Sequence, residues 1–274
     1  MNWIQAFLYG FISGITEVLP VSSHAHQRIL LQIFGQARNP ITNLIVHISA
    51  LLALYIGCRS LFVRMRREQK VLARGKRRSY NSENKITYDL RMFRSALVPM
   101  LLGMLAWIFT RTWVDDSLII AVFCLIGGIV LFISERFPQG NKDSRHMSVL
   151  DAIAFGIISA FSVFPGVSRV GTSMSYATMR GVHKQHSLTW ALLLSVPALI
   201  VICIFDFVDI LTIKGLVMNF SIIIGYFTAG LGAFIGTYLC VFFIRTLLNR
   251  SGMCIFAYYS WGLALLAFVL YLIS

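Results

Sequence analysis

Acidic residues are scarce in this chain. Eleven Asp and Glu stand against 24 Lys and Arg, and charged residues of both signs make up only 13% of the 274 residues. A soluble domain carries roughly a quarter charged residues. The deficit excludes an ordinary soluble globule and points to a polytopic membrane protein, as does the 57% hydrophobic content. Cysteine is also sparse. Cys58, Cys124, Cys203, Cys240 and Cys254 lie in or beside apolar segments and form no CxxC pair, so they are read as small buried side chains. The N-terminus lacks both a basic region and a small-residue cleavage site. No removable signal peptide is expected, and the first apolar segment is expected to stay as structure.

What charge there is falls unevenly. Twelve of the 24 Lys and Arg lie between Arg59 and Arg94. Such a run can bind nucleic acid, but in a greasy chain the positive-inside rule gives the plainer reading, a cytoplasmic loop over residues 59–92 drawn to anionic headgroups. No nucleic-acid partner is expected. Long apolar runs predict spans near 41–58, 93–112, 117–134, 187–206, 217–244 and 254–273, each about long enough to cross ~30 Å of hydrocarbon as helix. With 59–92 inside, the turn at 111–116 falls outside. Arg136, Lys142, Arg145, Arg180, Lys184, Arg245 and Arg250 then return inside. Gly232 and Gly236 form a small-xxx-small face for close helix contact.

Two segments break this pattern. Residues 3–35 and 151–178 are apolar at both ends but interrupted by EVLPVSS and VFPGVSRVG. Proline removes a backbone donor and stops a helix. Irregular backbone cannot face lipid, so each break must be buried in protein or line a wet cavity. Each segment is therefore read as a re-entrant helical hairpin. Shifted by 146 residues, Ala6, Gly10, Ile12, Ser13, Val21 and Ser22 meet Ala152, Gly156, Ile158, Ser159, Val167 and Ser168. The expected fold is thus all-α, with six transmembrane helices plus two re-entrant hairpins in an inverted repeat. Residues 1–134 form one copy and 151–274 the other, and a site is expected where the breaks meet.

The breaks carry the chemistry. Glu17 is read as the only acidic residue well inside an apolar segment, a position that marks function or a paired cation. Arg169, the basic residue of the other break, is its expected partner. A purely structural pair is the plain alternative, but Ser22, Ser23, Ser168, Thr172 and Ser173 crowd around it. PGVSRVGTS has the makings of an anion cradle. Gly166 and Gly171 admit backbone amides, a helix N-terminus follows, and Arg169 offers a planar fork. His26 lies three residues after Ser23, on the same helical face, and suits a base for a serine nucleophile. His24 and His47 are read as structural, His47 as an interhelical donor.

TEVLPVSSHAH followed by FPGVSRVGTS closely resembles the undecaprenyl-diphosphate phosphatases, the BacA-type bacitracin-resistance proteins, over essentially the whole chain. The resemblance implies a phosphatase that removes the terminal phosphate of undecaprenyl diphosphate and so regenerates the lipid carrier for cell-wall synthesis. It implies a bacterial inner (plasma) membrane location, a site open to the outer face, and a divalent cation, Mg²⁺ or Ca²⁺. It assigns Glu17 as the essential glutamate, Ser23 as candidate nucleophile, His26 as the motif histidine and Arg169 as the phosphate-binding arginine, with Ser168 before it. Glu17 is also the implied metal ligand. The partners are the polyprenyl diphosphate and membrane lipids; a homodimer is left open. The chain departs from the family pattern at Ser13, where a first acidic or amide residue is usual, at His24 and Ala25, and at Val170 and Ser173. The thinned site leaves two rivals: a carrier that binds or flips polyprenyl phosphate without cleaving it, and a degenerate binding protein.

Overall fold

In a computed structural model, residues 1–73, 84–143, 146–212 and 220–273 are described. They form twelve α-helices and one 3₁₀ turn; no strand forms among the described residues beyond an isolated bridge between Lys142 and Val182. The first half holds α1 (Trp3–Val18), α2 (Ser23–Ile33), α3 (Pro40–Gly57), α4 (Arg59–Ala73), α5 (Asn84–Met104), α6 (Trp107–Thr110) and α7 (Ser117–Glu135). The second holds α8 (Val149–Ala160), the 3₁₀ turn Phe161–Val163, α9 (Arg169–Met179), α10 (Lys184–Leu211), α11 (Phe220–Ser251) and α12 (Cys254–Ile273). Six helices are long and apolar enough to cross a membrane: Pro40–Gly57, Leu90–Thr110, Ser117–Glu135, Lys184–Leu211, Phe220–Arg250 and Cys254–Ile273. The chain is a multi-pass membrane protein, and the six spans coincide with the expected ones to within a few residues at most ends.

Three expectations change. The basic run at 59–92 is not a loop where it is described. Residues 59–73 form α4, and α5 starts at Asn84 rather than near residue 93; residues 74–83 lie outside the described part. The sequence RSLFVRMRREQKVLA contains no Gly or Pro and is rich in good helix formers, so a polar composition did not mean an irregular backbone. Leu61 and Phe62 of α4 rest against the core. Next, α11 runs on to Ser251, past the expected end near 244. Finally, α10 continues to Leu211 and so carries Asp206 inside a span. Asp206 is 3% exposed, so Glu17 is not the only buried acid.

The shift of 146 residues relates local geometry as well as letters. Capping boxes open both α1 (Asn2 with Gln5) and α8 (Ser148 with Asp151). Helices α2 and α9 are each 11 residues, capped by Ser22 and Ser168. Both end just before a glycine of positive φ, Gly35 at 61° and Gly181 at 77°, in the usual helix-stop conformation. Packing follows the same rule. α1 lies on α11 as α8 lies on α5; α3 meets α11 as α10 meets α5; α2 meets α12 as α9 meets α7.

Small residues let backbones touch at these contacts. Gly232 and Gly236 of α11 face the Phe7 and Phe11 carbonyls of α1, and Gly10 of α1 faces the Ala229 carbonyl of α11. Gly156, the counterpart of Gly10, faces Ala96 of α5 in the same way. Overpacking such a contact costs typically about 1–3 kcal/mol. Gly10→Leu is expected to reach the upper end and to lower the thermal midpoint in detergent. Gly262→Leu, where an added Cβ has no neighbour within 4 Å, should leave the midpoint in place.

Candidate active site

Each break is built by the same local chemistry. α1 stops at Val18, Leu19 turns extended, Pro20 follows, and Ser22 restarts the chain by accepting the Ala25 amide at 3.2 Å. α8 passes into the 3₁₀ turn and then Pro165–Gly166. Ser168 restarts the chain by accepting the Gly171 amide at 3.0 Å. Gly166 adopts φ 100°, and an added Cβ would meet the Ile120 carbonyl at 2.6 Å. That turn therefore demands glycine both for its conformation and for its closeness to α7. The two tips touch, since a Cβ on Gly171 would lie 3.0 Å from the Pro20 carbonyl.

Ser23 and Arg169 are the first residues of α2 and α9, positions related by the same shift of 146 residues. Both reach Glu17. Ser23 donates its hydroxyl to Oε1 at 2.6 Å, and Arg169 donates Nη2 to Oε2 at 3.2 Å. Arg169 also donates Nε to Ser162 Oγ at 3.4 Å and Nη1 to the Ser195 carbonyl at 3.3 Å. Glu17 is 5% exposed and Arg169 7%, so this is a buried ion pair. Thr16, Ser162, His24 and Ser168 complete the polar walls of a narrow cleft around it. A serine hydroxyl held by a carboxylate is placed to lose its proton to that carboxylate on attack.

The other candidate residues divide. The Thr172 hydroxyl donates to the Ser168 carbonyl at 2.8 Å, and the Ser173 hydroxyl pairs with Ser159 at 2.7 Å. Neither hydroxyl lines the cleft. Ser22, Ser168 and Gly171 are engaged in capping, although Ser168 still borders the cleft. His26, expected to face Ser23, turns the other way. Its Nδ1 donates to the Ser22 carbonyl at 2.6 Å. A carbonyl can only accept, so in the neutral ring Nε2 is the unprotonated nitrogen and accepts from Tyr259 Oη at 2.7 Å. Ser13 donates to the Tyr9 carbonyl at 2.6 Å inside α1 and is fully buried.

Several partners were not foreseen. Ser162 and Thr16 stand 146 residues apart; a search for hydroxyls at equivalent repeat positions would have found them. His47 bonds Asp206 at 2.5 Å through Nδ1, and its Nε2 lies 4.0 Å from Glu17 Oε1. Asp206 also faces Arg38 at 3.5 Å. A row of ionisable side chains, His47, Asp206 and Arg38, thus leads away from Glu17. A second polar cleft, with Arg28, Arg38 and Asp115 in its walls, shares His24 with the first.

Among the described residues no group of three or more His, Cys, Asp or Glu side chains forms a metal cluster. Mg²⁺ commonly binds through one or two carboxylates together with substrate phosphates, and Glu17 supplies one carboxylate. The donor set fits a cation shared with a phosphorylated substrate, not one held by protein alone.

Comparison with known proteins finds relatives over nearly the whole chain. The profile of the family described as Bacitracin resistance protein BacA matches residues 6–266. Undecaprenyl-diphosphatase 3 of Bacillus cereus is 28% identical over 273 residues, covering 98% of each chain. The undecaprenyl-diphosphatase of Carboxydothermus hydrogenoformans is 28% identical over 275 residues, and that of Methanobrevibacter smithii 27% over 279, again with 98% of each chain covered.

Proposed function

Because this chain belongs to the BacA family of bacitracin resistance proteins, we propose that it is the membrane phosphatase that hydrolyses undecaprenyl diphosphate to undecaprenyl phosphate and inorganic phosphate, recycling the lipid carrier for cell-wall synthesis. The observation that carries this reading is the single carboxylate, Glu17, holding a serine hydroxyl on one oxygen and a guanidinium on the other.

The Glu17–Arg169 ion pair lies in the cleft. The incoming diphosphate replaces Glu17 as the partner of Arg169, whose planar fork suits phosphate oxygens. Ser162 and the Ser195 carbonyl keep the guanidinium in place while it changes partner. Glu17 takes the proton from Ser23 as Oγ bonds to the terminal phosphorus. The bond from phosphorus to the bridging oxygen breaks, and undecaprenyl phosphate leaves with the electron pair. Water then attacks the phosphoserine, Ser23 regains a proton, and inorganic phosphate departs. His26 takes no direct part, since both of its nitrogens are engaged elsewhere.

A divalent cation would be held by Glu17 together with diphosphate oxygens, and it would neutralise charge that builds as the bridging bond breaks. EDTA is accordingly expected to reduce phosphate release to background, with recovery on adding Mg²⁺ or Ca²⁺. Release that persists unchanged in EDTA removes the cation from this scheme.

The two broken segments are re-entrant hairpins of an inverted repeat, one dipping from each face, with copies at 1–134 and 151–274. Support comes from matching caps, matching stops and exchangeable packing partners. By the positive-inside rule α4 is cytoplasmic and the turn at 111–116 is outside, in a bacterial plasma membrane. The cleft walled by Arg28, Arg38 and Asp115 then connects the site to the outer face. Purified protein in detergent with undecaprenyl diphosphate gives the direct test: steady phosphate release is expected. Binding without release would indicate a carrier instead.

A further inference from the structure

A second polar cleft adjoins the one that holds Glu17, Ser23 and Arg169, and His24 lines both. Its other walls include Tyr9 of α1, Arg28 of α2, Arg38, Asn43 of α3 and Asp115. Asp115 belongs to the turn at 111–116 and is exposed, so the mouth lies on the face proposed above as outer. Basic residues on that face run against the positive-inside rule. Two arginines on one narrow cleft there call for a reason other than topology.

The donors of this cleft are only partly used within the protein. Arg28 donates Nε to Ser117 Oγ at 3.3 Å, and its two terminal nitrogens have no hydrogen-bond partner among the described residues. Arg38 gives Nη2 to Asp209 at 3.3 Å, with Asp206 at 3.5 Å. The Nε of Arg38 is buried and bonds nothing, one of two such side-chain atoms among the described residues. A buried donor left unpaired is costly, and an acceptor arriving from outside is one way to pair it. Asn43 accepts the Tyr9 hydroxyl through Oδ1 at 2.7 Å, so its amide nitrogen is the end without a described partner. Two guanidinium groups and an amide N–H at one opening suit the oxygens of a phosphate. Asp115, the one carboxylate in the walls among the described residues, opposes an anion and so weakens its hold.

We propose that this cleft is a second phosphate subsite: inorganic phosphate leaves the Arg169 cleft past His24 and rests on Arg28, Arg38 and Asn43 before it departs by the outer face. The inference rests on the phosphatase reading for the source of the ion. It gives the product a partner at the moment Glu17 reclaims Arg169. The unpaired Nε of Arg38 gains an acceptor, and the Asp115 carboxylate keeps the stay short.

The test is equilibrium dialysis of the whole protein in detergent against radiolabelled orthophosphate. Farnesyl methylenediphosphonate, which cannot be hydrolysed, is added at saturation to occupy the Arg169 cleft. Orthophosphate is expected to bind in its presence. Arg28→Gln should weaken that binding about tenfold, the scale of one lost charge-assisted contact. Asp115→Asn should tighten it severalfold, since it removes a like charge. Arg38→Gln should also weaken it, but it strips Asp206 and Asp209 of a partner. Arg28→Gln disturbs only Ser117 and decides the matter if the Arg38 variant fails to fold. Loss of orthophosphate binding when the farnesyl probe is present overturns the proposal, as does unchanged affinity in Arg28→Gln. Displacement of orthophosphate by phosphatidylglycerol at equal concentration assigns the cleft to a lipid head group and overturns it too. Phosphate release from farnesyl diphosphate by the wild-type protein, measured separately, tests the phosphatase reading. Arg28-dependent binding without any release would sustain the subsite and sink the enzyme.

Discussion

Arg169→Ala is expected to abolish phosphate release, by on the order of 10³-fold or more in kcat/KM, the scale of a lost phosphate-stabilising cation. Among the described residues Arg169 is the only arginine or lysine in the walls of the cleft, so little remains to hold the transferring phosphoryl group. The same change strips Glu17 of its buried partner, and breaking such a pair from one side costs about 3–5 kcal/mol. Activity and stability must therefore be read separately. The double variant Glu17→Gln with Arg169→Ala removes both charges and is expected to regain most of the thermal midpoint while remaining inactive. Arg169→Lys keeps the charge but cannot reach Glu17, Ser162 and Ser195 together as the fork does. It should retain binding better than turnover. If Arg169→Ala keeps substantial turnover, the pair is structural and the site lies elsewhere.

Ser23→Ala carries the second large effect. Ser23 is half-buried at the first position of α2, and its hydroxyl bonds only Glu17 among the described contacts. The substitution should leave the fold within a few tenths of a kcal/mol to ~1 kcal/mol, the range of one hydrogen bond. Turnover should fall on the order of 10³-fold with KM little changed, because Arg169 still holds the diphosphate. Acid quenching of the wild-type reaction should trap phosphate on Ser23, and the variant should trap none. Full activity in Ser23→Ala would replace the covalent route with a water molecule oriented by Glu17.

The spans and the two breaks were legible because hydropathy and proline chemistry act locally. The pairing of Glu17 with Arg169 was legible because a lone acid in an apolar segment needs a cation and few were available. Other features depend on the fold and escaped. Whether the run at 59–92 was loop or helix could not be read from charge, since Arg, Lys, Glu and Gln form helices as readily as solvated faces. The hydroxyls of Thr172 and Ser173 are expected as donors to substrate, but a helix carbonyl and a neighbouring serine claim them. Asp206 closes the span expected at 187–206, and its bond to His47 joins residues 159 apart. Tyr259 sits in a run of aromatics at the start of α12, and nothing in that run singles it out. Gly35 and Gly181 share a positive φ that the letters alone do not show.

The closed Glu17–Arg169 pair has a consequence for the end of the catalytic cycle. The protein keeps an internal rival for its own anion site, always at hand and never diluted. Any visitor is held only by the margin with which it outbids that resident carboxylate. On the proposed mechanism a diphosphate on a long tail is expected to win the contest, and a small free phosphate, without tail or second phosphoryl group, is not. On that mechanism the contact between Glu17 and Arg169 would act as an ejector, favouring departure of the inorganic product and sparing the site from inhibition by what it makes.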